Sequence, residues 1–169
     1  MQTETLNELN RQALRLACIA LDLAELVGQP AGLCMALSNV ARCHARRGAL
    51  DEAAWYAERG LRIARGLPAV DASVDALCEL AELAARQADR FDVGDEGRSA
   101  NHHRDIARDR AFEAAHLALR SADPRWEITV LLRISDLFDS LGDHDDAIAL
   151  QTRAMELMSG AANTPSLAA

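Results

Sequence analysis

The sequence contains no lysine; all 18 basic residues are arginine. This removes the Schiff-base lysine and the phosphate-loop lysine, and with them two widespread chemistries. Aromatic residues make up 4 % of the 169 positions. A core must therefore come from small, closely spaced side chains, of which alanine is the commonest. Positive charge is in the minority, with 26 acidic residues and a net charge of −8. Such a balance argues against phosphate-backbone binding, which needs a basic surface. No apolar run approaches the roughly 20 residues of a membrane helix, and Met1 to Asn10 is too polar and acidic for a signal peptide. The expected partners thus include neither nucleic acid nor membrane. Cys18, Cys34, Cys43 and Cys78 are never spaced Cys-x-x-Cys, and each lies in an alanine- and leucine-rich run. They are expected to be buried thiols in a reducing cytoplasm.

Catalytic signatures are equally scarce. There is no G-x-S-x-G and no glycine-rich phosphate loop. His102 and His103 sit beside Asp105 and the acidic Asp92, Asp95 and Glu96, but His103 and His116 lack the i,i+4 spacing of a helical metal pair. The reading is a non-enzyme with no cofactor and no metal.

What the sequence does contain is a repeat. An offset of 40 places Ala13 on Ala53, Leu21 on Leu61, Ala36 on Ala76, Leu37 on Leu77 and Ala41 on Ala81. An offset of 94 places Ala13 on Ala107, Pro30 on Pro124, Leu37 on Leu131, Gly48 on Gly142 and Ala53 on Ala147. The second offset is two units of 40 plus an insertion of about 14 residues, located between Ala88 and Ala107. Each unit reads as two helices. Leu6, Leu9, Ala13, Leu16, Ala20, Leu23 and Val27 follow the three- and four-residue steps of one helical face. Gly28, Gln29 and Pro30 end that helix. Ala31 to Arg47 follows as a helix with Gly48 just past its end, and Asp51 and Glu52 complement the positive start of the next. Further helices are expected over Val70 to Asp89, Asn101 to Ser121, Arg125 to Ser140 and His144 to Met158. Phe91 to Ala100, charged and aperiodic, reads as a mobile inserted loop. No segment alternates as a strand would.

The fold class is therefore all-α, with about seven helices in one domain over residues 1–160. A half-repeat at 1–28 precedes repeats at 31–67, 70–122 (containing the 91–100 loop) and 125–159, and 161–169 is a flexible tail. One hairpin cannot bury its own apolar face, so stacked neighbours must share a core.

These positions resemble the tetratricopeptide repeat, whose pattern combines a large residue, a leucine, a small residue and an aromatic with two spaced alanines on the second helix. Leu37, Val40, Ala41 and His44, followed by Gly48, Ala53 and Gly60, match it in one unit. Leu131, Ile134, Ser135 and Phe138, followed by Gly142, Ala147 and Ala154, match it in another. His44 replaces the packed aromatic, and the unit is longer than the family's typical 34 residues. Longer units occur in bacterial signalling and regulatory relatives. The resemblance implies a right-handed α-α superhelix of helical hairpins whose first helices line a concave groove that binds protein or peptide.

Carried onto this sequence, the groove positions are Ser38, Asn39, Arg42 and Arg46 with Met35; Glu79, Glu82 and Arg86 with Asp75 and Cys78; and Arg133 and Asp136 with Thr129, Leu132 and Asp139. Relatives that clamp a C-terminal carboxylate use lysines, asparagines and an arginine. Here only Asn39 and Arg133 match, and Glu79 would repel such a ligand.

The expected function is a non-catalytic binding scaffold, the regulatory or sensory part of a larger bacterial signalling protein such as a diguanylate cyclase or transcription regulator. Two alternatives stand beside it: a homodimerisation module acting through the unpaired N-terminal helix, and a small-molecule sensor caged under the inserted loop. Ile19, apolar where Arg59, Glu113 and Arg153 are charged, and Trp55, equivalent to Arg15, Asp109 and Ala149, are expected to mark a second contact surface. Another copy of the chain, upstream repeats, or nothing at all could cover the first helix.

Overall fold

The structure, a computed structural model, describes residues 2–93 and 97–162. Within them the chain forms seven helices and no strand: α1 (Gln2–Val27), α2 (Pro30–Arg46), α3 (Leu50–Ala64), α4 (Asp71–Val93), α5 (Gly97–Ala118), α6 (Pro124–Leu141) and α7 (His144–Ala162). The boundaries have local causes. Pro30 and Pro124 occupy first-turn positions of α2 and α6, where the missing N–H costs nothing. The Asp123 carboxylate accepts from the backbone N–H of Arg125 and Trp126 and caps α6. At the hairpin turns, Gly48 and Gly142 adopt φ of +76° and +83°, a left-handed conformation that glycine reaches without a Cβ clash. The recurrence of glycine at the offset of 94 thus marks one turn geometry used twice.

Each helix packs on its neighbours in sequence, and α4 also touches both α2 and α6. No comparable backbone approach joins α1 to α3, α3 to α5 or α5 to α7. The first helices of the hairpins therefore form an inner row, and the second helices stand further apart. Arginines bridge the wider row: Arg59 reaches Glu25 at 2.6 Å, Arg110 reaches Glu58 at 2.8 Å, and Arg65 reaches Glu113 at 2.5 Å.

The main core runs from α2 to α7 and is largely alanine, with Leu61, Leu77, Ile134 and Phe138 filling the larger spaces. A smaller cluster joins α1 to α2 through Ala17, Leu21, Leu37 and Val40. Leu37 and Leu61 are both fully buried. A Cβ added at Gly60 would lie 3.7 Å from the Leu37 Cβ. That is ordinary contact, so this helix approach does not require glycine, and the equivalent Ala20, Ala114 and Ala154 serve at the same place.

Two expectations need correction. Residues 91–93 and 97–100 are helical rather than loop. The insertion went mainly into length, giving α4 23 residues and α5 22, against 17 for α2 and 15 for α3. Phe91 stacks on His103 with ring centroids 5.1 Å apart, Arg104 pairs with Asp92, and Ala100 is fully buried. These contacts zip the extended tip together; residues 94–96 of the expected loop lie outside the described residues. Secondly, the apolar face picked out on α1 is mostly its open one. The helix buries Ala17 and Leu21 against α2, while Leu9, Leu16, Leu23 and Val27 remain exposed. The tail expected at 161–169 lies, from residue 163 onward, outside the described residues.

Candidate functional site

The seam between α2 and α4 carries two adjoining cavities. The first has a volume of about 340 Å³. Ala57 and Gly60 of α3 form part of its lining, and the small side chains there are what leaves the space. Met35, Ser38 and Arg42 face it from α2, and Asp75, Ala76 and Glu79 from α4. The second, about 190 Å³, continues along the seam between Arg42 and Arg46 of α2 and Glu79, Glu82 and Arg86 of α4. Arg42 and Glu79 border both, so the two form one trench with a charged partition.

Glu79 is the distinctive group. It is only 7 % exposed. Ser38 Oγ donates to its Oε2 at 2.8 Å, but its buried Oε1 has no hydrogen-bond partner. Burial pushes its carboxyl pKa up, opposed by the Ser38 hydrogen bond and by the nearby Arg42 and Arg133. A buried carboxylate oxygen without a donor is costly, and protonation of the carboxyl lessens that cost.

The other expected groove residues divide by what they touch. Arg133 of α6 donates to Glu82 at 2.6 Å and lies 3.9 Å from Asp75, tying α6 to α4. Arg86 donates to the Ala45 carbonyl at 2.7 Å, satisfying an end group of α2. Arg42 donates to Asn39 Oδ1 at 2.9 Å, which holds its guanidinium at the mouth of the trench. Asn39 and Asp136 are exposed and line neither cavity. Cys78 departs from its expected place: it is buried in the core, and burial raises its thiol pKa to about 11, which makes it a packing residue rather than a lining one. Thr129 is exposed and donates back to the Arg125 carbonyl.

Outside the seam, His44 stacks on Tyr56 with ring centroids 5.3 Å apart. Trp55 is exposed and meets Tyr56 edge-on, with the Arg59 guanidinium 6.0 Å from its ring centroid. Ile19 is exposed on α1. Sequence reasoning missed Glu127, which is buried in the first turn of α6 with the Arg153 Nε 3.4 Å away. A carboxylate at a helix start is so common on surfaces that its type carried no signal. Among the described residues no three histidines, cysteines or carboxylates gather in a metal-binding group, and no helix is long and apolar enough to cross a membrane.

No family model matches the chain, and no curated protein does. Among solved structures, one described as the DHF58 filament is 23 % identical over 93 % of this chain and 84 % of its own, with a TM-score of 0.46. BtubC (BKLC) from P. vanneervenii is 17 % identical over 95 % of this chain and 78 % of its own, with a TM-score of 0.38. At scores this low the likenesses decide nothing about function.

Proposed function

We propose that the chain is a non-catalytic, peptide-binding scaffold of tetratricopeptide-like hairpins, and that the peptide lies along the seam of α2 and α4. The observation that carries this reading is the trench bordered by Arg42 and Glu79, with a buried carboxylate oxygen left without a donor. A peptide brings backbone N–H donors, which suit the Glu79 carboxyl that borders both cavities. It also brings carbonyls and side chains of either sign, which suit Arg42, Arg46 and Glu82. The apolar surface of Met35, Ala57 and Ala76 gives a side chain somewhere to bury. The phased repeats support the same reading, since stacked hairpins commonly expose an elongated binding surface.

The test is peptide display against the wild-type chain, with counter-selection on an Arg42→Glu/Arg46→Glu double variant. Neither arginine hydrogen-bonds to another element among the described residues, whereas reversing Arg86 would also break its bond to α2. The selected peptides should lose roughly tenfold or more in affinity on the variant, the scale of losing a charge contact at an interface. Circular dichroism checks that the variant keeps its fold, since Arg42 also favours the charge on Glu79. Peptides that bind both proteins equally well would place the site elsewhere.

A further inference from the structure

The exposed stripe on α1 is the outlier of the surface. Leu9, Leu16, Ile19, Leu23 and Leu26 are all more than half exposed, Leu16 at 68 %. The repeat shows what this stripe is built for. At the offset of 40, Leu16 and Leu23 correspond to Tyr56 and Ile63 of α3, which pack against the cluster that α1 and α2 share, Tyr56 stacking on His44 of α2. The later equivalents of Leu23 and Leu16, Leu117 of α5 and Leu150 of α7, pack against the main core. In α3, then, both positions are covered by packing against neighbouring helices, as is one of the two in α5 and one in α7, the remaining equivalents being Arg110 and Leu157. On α1, whose backbone closely approaches only α2 among the described residues, they are bare.

We propose that a second copy of this chain covers the stripe, its α1 lying antiparallel on the first. Register and charge both favour this pairing. Leu9, Leu16 and Leu23 recur every seven residues, and Gln12, Ile19 and Leu26 follow each by three, which is the a and d spacing of a coiled-coil seam. Antiparallel helices pair a with d. Leu16 then meets Ile19 of the partner subunit, Leu9 meets Leu26 of the partner subunit, and Gln12 meets Leu23 of the partner subunit. Two-fold symmetry repeats each layer, giving six layers over roughly 25 Å of helix. In this register Arg15 comes beside Asp22 of the partner subunit, and its own Asp22 beside the partner's Arg15. Both residues are exposed, and neither has an ion pair or hydrogen bond within the described residues. The seam is thus flanked by two opposite-charge pairs that the monomer leaves unmade. A parallel pairing would set Arg15 beside Ala20 and gain nothing from charge. This inference is independent of the peptide trench, which lies on other helices.

Sedimentation equilibrium of the full chain tests it, with circular dichroism confirming that each variant folds. The wild type should be a dimer with a concentration-dependent monomer fraction. Leu16→Asp, at an exposed position, should retain helicity and sediment as a monomer. Arg15→Asp and Asp22→Arg should each raise the dimer dissociation constant by roughly tenfold, as expected for losing two surface pairs. The double variant Arg15→Asp/Asp22→Arg should restore it. A wild type that stays monomeric at about 100 μM would overturn the proposal. So would a dimer that Leu16→Asp leaves intact, or two single variants that the double swap fails to rescue.

Discussion

Glu79 shows how one residue carries two opposed demands. Its carboxyl is held in the α2–α4 seam by Ser38, yet it is buried enough that its pKa is raised. A raised folded-state pKa means that the protonated form is the one the fold prefers. Its contribution to stability is complete below the ordinary carboxyl value of 4.5 and is lost as pH rises through the folded-state value. Glu79→Gln keeps the shape and the acceptor for Ser38 but removes the charge. Thermal scans should show the variant melting about 2–4 °C higher than wild type at pH 7, with the gap closing below pH 4.5. A variant that melts lower at pH 7 would show that Arg42 and Arg133 hold the charge more strongly than burial opposes it. Gly60 gives a second residue-scale test. Because a Cβ there meets only an ordinary contact, Gly60→Ala should stabilise the helix by about 0.5–1 kcal/mol. The same methyl encroaches on the first cavity, so peptide affinity should fall while the melting temperature rises. A fall in both would mean that the seam is packed more tightly than the contact distance implies.

At the scale of elements, the helices and their turns were readable because proline, glycine and the alanine period each act locally. Pro30, Gly48 and Gly142 announce their turns through constraints that tertiary context rarely overrides. The insertion was not readable in the same way. Between Phe91 and Ala100 the sequence is charged and lacks a period, and the residues that keep it helical, Phe91, Asp92, Ala100, His103 and Arg104, act across the tip between two helices. Arg104→Ala should therefore loosen the tip and little else. Amide hydrogen exchange should quicken in 89–93 and 97–104, with global stability changing by no more than about 0.5 kcal/mol, as for an exposed ion pair. A melting temperature lower by many degrees would show the tip to be part of the cooperative core. The face of α1 was misleading for a related reason. Its period is correct, but period alone does not say whether the covering helix belongs to the same chain.

At the scale of the whole molecule, the inner row of α2, α4 and α6 is the part that closes up, and the outer row is bridged by arginine. Absence of lysine fits this: a planar guanidinium can span the wider gap and pair with a carboxylate in fixed geometry. The candidate site was partly legible. Ser38, Arg42, Arg46, Glu79, Glu82 and Arg86 do gather at one seam, because equivalent positions on α2 and α4 face each other once the hairpins stack in phase. What the pattern did not carry was depth: that Glu79 would be buried with one oxygen unpartnered, that Cys78 would turn inward, or that Arg86 would serve the end of α2. Those outcomes depend on rotamers and on the small residues of α3. The most direct measurement is amide chemical-shift mapping of the labelled chain titrated with a display-selected peptide. The perturbed amides should cluster over 34–46 and 72–86, on the inner row. Perturbations confined to α1, α5 or α7 would contradict the proposed site.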